Sequence, residues 1–149
     1  MKRTVLGPIS VGMLLAVGLL SWGAGHPQPA WSDNSCSLRT LKGTYLYHCA
    51  GVQGSGQAHF AFAGKDQFNG DGKVTGVFSY SDQDNILRHV SYTGTYTVNP
   101  DCTGTYTTTD ENGVVGHLDL FFGPDGAEVT FIFTDKGVVD AGVERRVGK

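Results

Sequence analysis

Clusters of turn-forming residues cut this chain into short pieces, and that punctuation constrains its fold more than any other feature. They are Asn69-Gly70-Asp71-Gly72, Asn99-Pro100-Asp101, Asn112-Gly113, Pro124-Asp125-Gly126 and Lys136-Gly137. Asn-Gly and Asp-Gly supply the positive-φ positions that tight hairpins require. Between the clusters, Thr, Val, Tyr and Phe alternate with polar residues, and no window keeps a 3.6-residue period over ten residues. The spacing predicts eight strands, near 43–50, 57–63, 73–80, 87–98, 103–109, 116–122, 127–134 and 139–147. Short strands joined by short loops make an antiparallel meander, and closing it removes the exposed edges. The expected fold class is all-β, an eight-stranded antiparallel up-and-down β-barrel.

The first 32 residues read differently. Lys2 and Arg3 give a positive start, an apolar stretch runs from Val11 to Trp22, and Ala30-Trp31-Ser32 fits a small-x-small cleavage site. This is the layout of a secretory signal peptide. The alternative is an uncleaved membrane anchor, but the apolar stretch is shorter than the roughly 20 residues of a spanning helix. The expected organisation is a cleaved signal peptide, 1–32, and a single barrel domain, 33–149, with no membrane span in the mature chain. The implied location is secreted or periplasmic, where disulfides persist.

Composition excludes several classes. Hydrophobic residues make up 40% of the chain, too many for intrinsic disorder. The 22 glycines follow no G-x-y repeat, so collagen is excluded. The formal charge is −3, and it moves to −5 once Lys2 and Arg3 are removed. No basic patch is present, so no nucleic-acid partner is expected.

Gly-Thr-Tyr occurs three times, at 43–45, 94–96 and 104–106. A functional repeat is one reading. Glycine relieving crowding where barrel strands bend, with tyrosine packed beside it, explains the pattern more simply. Leu41-Lys42-Gly43-Thr44-Tyr45 and the run Gly94-Thr95-Tyr96-Thr97-Val98-Asn99-Pro100-Asp101-Cys102-Thr103-Gly104-Thr105 resemble a family of small secreted bacterial proteins of uncharacterised function. His117, Phe131-Ile132-Phe133-Thr134-Asp135 and Gly142-Val143-Glu144-Arg145-Arg146 resemble that family's ending. The resemblance spans nearly all of the mature chain. It implies a calycin-like barrel of the allene-oxide-cyclase type, and it carries no functional residue across.

Alternation sorts each strand into two faces. The apolar face holds Tyr45, Tyr47 and Cys49; Phe60 and Phe62; Val74, Phe78 and Tyr80; Val90, Tyr92, Tyr96 and Val98; and Tyr106. It continues with Leu118, Leu120 and Phe122; Val129, Phe131 and Phe133; and Ala141, Val143 and Val147. This face is expected inside. An eight-stranded barrel is either just filled by side chains or holds one small ligand. Buried phenols need hydrogen-bond partners, which a ligand, a carbonyl or a neighbouring side chain can supply. The candidate ligand-binding residues are Tyr45, Tyr47, Phe78, Tyr80, Tyr92, Tyr96, Tyr106, Phe122, Phe131 and Phe133. Arg145 joins them because it shares parity with Val143 and Val147 and is the one charge expected to reach the interior.

The polar face carries Thr93, Thr95, Thr97, Thr105 and Thr107, and also His48, His59, His89 and His117. Zinc needs three or four converging ligands; these histidines lie on four strands without a ligand motif, so no metal is expected. His117 can pair with Asp119, and Glu128 with Arg146. The 67–72 segment mimics part of a calcium loop, but Gln67 and Phe78 stand where the first ligand and the bidentate Glu belong. Gly51–Gly56 lacks the Gly-Lys-Ser/Thr ending of a phosphate loop. No Gly-x-Ser-x-Gly is present, and no cysteine has a context for nucleophilic catalysis. No catalytic residue and no cofactor is assigned.

Strand parity then pairs the cysteines. Cys36, before strand 1, and Cys102, between strands 4 and 5, lie at one end of an up-and-down barrel, while Cys49 lies a strand length away. A disulfide needs Cα atoms within roughly 7 Å, so Cys36–Cys102 is the expected bridge. It closes a loop of about 65 residues, worth roughly 3–4 kcal/mol on the chain-entropy model. Cys49 is left as a buried thiol. The opposite end carries Asp82, Asp84, Asp110, Glu111 and Asp135 and is the expected mouth. An acidic rim favours cationic ligands, although Asp also simply populates turns.

Three functions remain in competition. One is a non-enzymatic barrel binding a small apolar or aromatic (hydrophobic) ligand. The second is an isomerase or cyclase acting in a dry cavity, as the resemblance implies. The third is an envelope interaction module with a filled barrel, whose outer threonine stripe pairs with partners or builds a homo-oligomer. An internal cavity of about 300 Å³ or more separates the first two from the third.

Overall fold

The computed structural model describes residues 35–54 and 58–149. The expected signal peptide lies outside the described residues. The strands are β1 (Gly43–Gln53), β2 (Ala58–Phe68), β3 (Lys73–Asp82), β4 (Ile86–Tyr96), β5 (Thr103–Asp110), β6 (Val115–Phe122), β7 (Glu128–Phe133) and β8 (Val138–Gly148). Each pairs antiparallel with the next, and β8 returns to β1, so the barrel is closed in simple up-and-down order. Every strand therefore has a neighbour on both sides, although the Ile86–Val90 end of β4 runs past β5 with β3 as its one ladder partner.

The hairpins follow the local chemistry. Gly70, Gly72, Gly113, Gly126 and Gly137 all take positive φ in the turns. The Asn69 carboxamide accepts hydrogen bonds from the amides of Asp71 and Lys73, both at 3.0 Å, which closes the β2–β3 turn. Asp110 does the same for Asn112 and Val114 in the β5–β6 turn, both at 2.8 Å. In the β4–β5 turn Cys102 adopts φ 65°, an uncommon conformation for a residue with a Cβ. Cys102 forms the expected bridge to Cys36, with Cα atoms 5.0 Å apart and a sequence separation of 66. Cys49 is buried and unbridged.

One end of the barrel is filled. A 3₁₀ turn at Leu38–Leu41 crosses it, with Leu41 fully buried among Tyr45, Phe68, Tyr96, Leu120 and Val129. The Tyr45 hydroxyl donates to the Gly126 carbonyl at 2.6 Å, and the Tyr96 hydroxyl donates to the Leu38 carbonyl at 3.0 Å. These two phenols therefore spend their polar ends on tying the turn segments to the barrel.

Two strand readings are corrected. β2 does not stop at 63 but continues to Phe68, so Asp66 and Phe68 are fully buried. β8 faces the opposite way from the expectation. Asp140, Gly142, Glu144 and Arg146 form its inward set, while Ala141, Arg145 and Val147 are exposed and Val143 shares their outward parity. Val139 and Val147 are 70% and 59% exposed, and Glu144 is 2% exposed. The ladders impose this register. Gly142 lies opposite both Cys49 and Phe131. A Cβ there would stand 2.6 Å from the Cβ of Cys49, so only glycine fits between its neighbours. A one-residue slip would exchange the two faces.

Candidate functional site: an aromatic cavity ending on buried acids

Large side chains lie over glycines of the adjacent strand along the inner wall. Tyr47 faces Gly64, Tyr92 faces Gly76 and Phe131 faces Gly142 across their ladders. A Cβ at Gly64 would fall 2.6 Å from the Tyr47 hydroxyl, so the absent side chain is what lets the ring lie flat against the wall. Rings shielding strand glycines in this way also pin the register. With the rings held against the wall, the centre of the barrel remains open. The result is a cavity of about 260 Å³. This is near the lower bound of about 300 Å³ for ordinary ligand pockets, and it exceeds the roughly 150 Å³ that accommodates benzene in an engineered cavity.

The upper wall is aromatic. Phe62 is its hub, with ring centroids 5.8 Å from Phe60, 6.0 Å from Phe78, 5.7 Å from Phe133 and 6.2 Å from Tyr47. The mouth is bordered by Asp110, Val114 and Val115 of the β5–β6 hairpin, Asp135 and Val138 of the β7–β8 hairpin, Gln53 and Tyr80. The Gln53 amide donates to the Tyr80 hydroxyl at 3.0 Å, and that hydroxyl donates to Asp82 at 2.8 Å. The mouth is thus at the end opposite the disulfide.

The inner end of the cavity is polar. Asp66 and Glu144 line it and are 1% and 2% exposed; Asp140, 3% exposed, lines the wall four residues nearer the mouth on β8. The Asp66 carboxylate accepts from the Tyr92 hydroxyl and, at 3.4 Å, from the Tyr106 hydroxyl. Tyr92 and Tyr47 hydroxyls are 3.2 Å apart. Burial pushes the Asp66 carboxyl up to about 7, against the pull of hydrogen bonds from Tyr92, Glu144 and Tyr106. Burial also holds Glu144 well above the usual carboxyl range, and the charge of Asp66 adds to the effect. Glu144 therefore keeps its proton more firmly and donates it toward Asp66. Asp140 is raised by burial as well. Both oxygens of Asp140 and Oε2 of Glu144 are buried without a hydrogen-bond partner. Such groups carry a desolvation cost of about 1–3 kcal/mol each, which a donor entering the cavity would relieve.

The candidate residues divide cleanly. Tyr47, Phe78, Tyr80, Tyr92, Tyr106, Phe131 and Phe133 line the cavity. Tyr45 and Tyr96 do not, because they belong to the filled end. Phe122 packs against that same core from a half-buried position. Arg145 is corrected outright. Its side chain is 76% exposed and pairs with Glu128 at 2.9 Å on the outer surface. The cation that does reach inward is Arg146. Its guanidinium donates to the Tyr45 hydroxyl at 2.6 Å, to the Asp125 carbonyl at 2.8 Å and to the Thr40 carbonyl. The surface pairs move accordingly: Glu128 meets Arg145 instead of Arg146, and His117 meets Asp135 at 2.8 Å instead of Asp119. His48, His59, His89 and His117 are all exposed.

Asp66, Asp140 and Glu144 were not among the candidates. Asp66 lay in a segment read as a loop, and the two β8 acids lay on the face that alternation assigned to solvent. The available signal was Gly142, a glycine in mid-strand with acids two residues to either side.

No protein-family model matches the chain, nor does any curated protein. Solved structures of designed proteins do match. A de novo designed fluorescence-activating β-barrel superposes with a TM-score of 0.51 at 17% identity, covering 77% of this chain and 98% of the other. The redesigned barrel mFAP1, solved bound to DFHBI, superposes with a TM-score of 0.53 at 18% identity, covering 74% and 98%. What they share with this chain is the fold: a closed, eight-stranded, antiparallel up-and-down β-barrel.

Proposed function

We propose that this chain is a secreted or periplasmic barrel, mature from about residue 33, that binds one small aromatic or apolar molecule in its interior. The carrying observation is the open, aromatic-walled cavity of about 260 Å³. Side chains of this size would close an eight-stranded barrel if they pointed to its axis; here they lie against glycines and leave the axis empty. Tyr47, Phe78, Tyr80, Tyr92, Tyr106, Phe131 and Phe133 would touch the ligand. The Cys36–Cys102 bridge supports an oxidising compartment. The binding of DFHBI by mFAP1 supports the use of this fold as a small-molecule container. The cavity falls just short of the volume of about 300 Å³ set for a binder or enzyme, and what weighs against the interaction module is that the barrel is not filled.

One observation favours catalysis. Asp66 and Glu144 hold a proton between two buried carboxyls beside an apolar cavity, and such a pair is equipped for general acid–base chemistry. An isomerase or cyclase, of the kind the allene-oxide-cyclase resemblance implies, would use it.

Native mass spectrometry of the protein purified from its own host tests the first reading. One retained small molecule per chain is expected, and it should be absent from Thr108→Trp, which fills the cavity from β5. Equal retention by both proteins, or by neither, counts against the reading. Chromatography of the released molecule separates the two functions, since only an enzyme returns an isomer of what was loaded.

A further inference from the structure

The cavity has a chemical polarity that its aromatic walls do not explain. Among the described residues lining it, five are acids (Asp66, Asp110, Asp135, Asp140 and Glu144) and none is Lys, Arg or His. Asp110 and Asp135 belong to the mouth, and Asp135 is already answered by His117 on the outside. Asp66 is answered by tyrosine hydroxyls. Asp140 and Glu144 are different. They are almost wholly buried, they line the cavity, and three of their four carboxyl oxygens lack a hydrogen-bond partner.

The fold sets only the weakly donating Cys49 thiol beside Asp140 and no donor at Oε2 of Glu144. Arg146, two residues beyond Glu144 on the same inward face, is committed to Tyr45, Thr40 and Asp125 at the filled end. The tyrosine hydroxyls are committed to Asp66 and to one another. Buried acceptors without donors are costly, and a stable barrel could have placed Val or Leu at both positions. The geometry points to an amine site. We propose that the inner end of the cavity receives the protonated amine of a small aromatic ligand, with Glu144 accepting its N–H group and Asp140, four residues nearer the mouth on β8, drawing the cation inward, while the ring lies among Phe62, Phe78 and Phe133. This rests on the cavity-binding reading and names its ligand class.

An ammonium group suits the site in three respects. It offers a donor to the buried, unpartnered Oε2 of Glu144. It brings the positive charge that lets buried carboxylates ionise without an isolated charge. It also enters through a rim that carries Asp110 and Asp135, so the field at the mouth attracts it. A carboxylate ligand fails on all three counts.

The test uses three probes of one shape: 2-naphthylmethylamine, 2-naphthalenemethanol and 2-naphthoate, titrated against the full mature chain by fluorescence. The amine is expected to bind about tenfold or more tightly than the alcohol, and the carboxylate weakest. Glu144→Gln should erase most of the amine's advantage over the alcohol, read as the ratio of the two affinities within the same variant, and Asp140→Asn a smaller part of it. Two variants are used so that a folding defect in one, read by its thermal melt, leaves the other decisive. An alcohol that binds as tightly as the amine, a carboxylate that binds best, or variants that keep the amine preference would each overturn the amine site while leaving the binding cavity in place. Failure of all three probes to bind the wild-type chain would instead remove the cavity reading itself.

Discussion

Arg145 and Arg146 are neighbours with opposite surroundings. Arg145 stands in water beside Glu128, and exposed pairs of that kind contribute about 0–1 kcal/mol. Arg146 lies over the Tyr45 ring, 5.2 Å from its centroid, and joins three segments through its hydrogen bonds. Burial raises the Tyr45 hydroxyl to about 12, even against the lowering effect of Arg146, so the phenol stays protonated and keeps donating to Gly126. Arg146→Ala is therefore expected to cost about 2–3 kcal/mol in urea unfolding, and Arg145→Ala less than about 0.5 kcal/mol. Equal effects would mean that the inward cation has been misassigned. The disulfide acts at the same scale. Replacing Cys36 and Cys102 with serine together should lower stability by about 3–4 kcal/mol, because it frees a long loop in the unfolded chain. Cys102 keeps its positive φ in that variant, so the turn gains nothing in return.

At the scale of single elements, β8 carries the departure from simple alternation. Val139, Val143 and Val147 point outward and its acids inward, against the rule that apolar residues mark the core. This register has a consequence for pH. In the unfolded chain Asp66 gives up its proton near its ordinary 3.8, whereas in the folded barrel it keeps it to about 7. Below both values the proton count is the same in the two states, and stability from this group is fully present. Between them only the unfolded chain releases a proton, so stability falls by about 1.4 kcal/mol per pH unit. Glu144 is raised too and acts in the same direction. The groups facing this pair are Tyr45, Tyr47 and Cys49 of β1, Tyr92 of β4 and Tyr106 of β5. The phenols are raised by burial and stay neutral throughout, while Asp140 adds to the same trend. Asp82, Asp101 and Asp135 are lowered by their hydrogen bonds and act oppositely, but they are near the surface and active only as pH falls through their own range. The melting temperature is thus expected to fall between pH 4 and pH 7, and Glu144→Gln should flatten that fall. A melting temperature rising steadily over this interval would contradict the burial of the pair. The same strand shows why the site was only partly legible. Tyr47, Phe78, Tyr92 and Phe131 could be read because their alternation obeys the packing rule. Asp140 and Glu144 could not, because a polar residue that faces inward looks in sequence like one placed outward for solubility. Local rules fail most often at functional positions.

At the scale of the whole molecule, the turn residues and the parity of the strands were enough to read closure, the bridge and the position of the mouth. Volume was not readable, because it depends on whether the rings point to the barrel axis or lie against its wall. Gly64, Gly76 and Gly142 decide that, each through a cross-strand neighbour far away in sequence. Among the described residues, the closed end, the 3₁₀ turn and the disulfide then leave a chamber with buried acids open at the other side. The account stands on that chamber being occupied by a small molecule. Its most direct test is a fluorescence titration of the neutral probe 2-naphthalenemethanol against the wild-type barrel and Thr108→Trp. The account predicts one saturable site in the wild type and at least about tenfold weaker binding in a variant that melts normally. Non-saturable binding, or equal affinity in the two proteins, would contradict it.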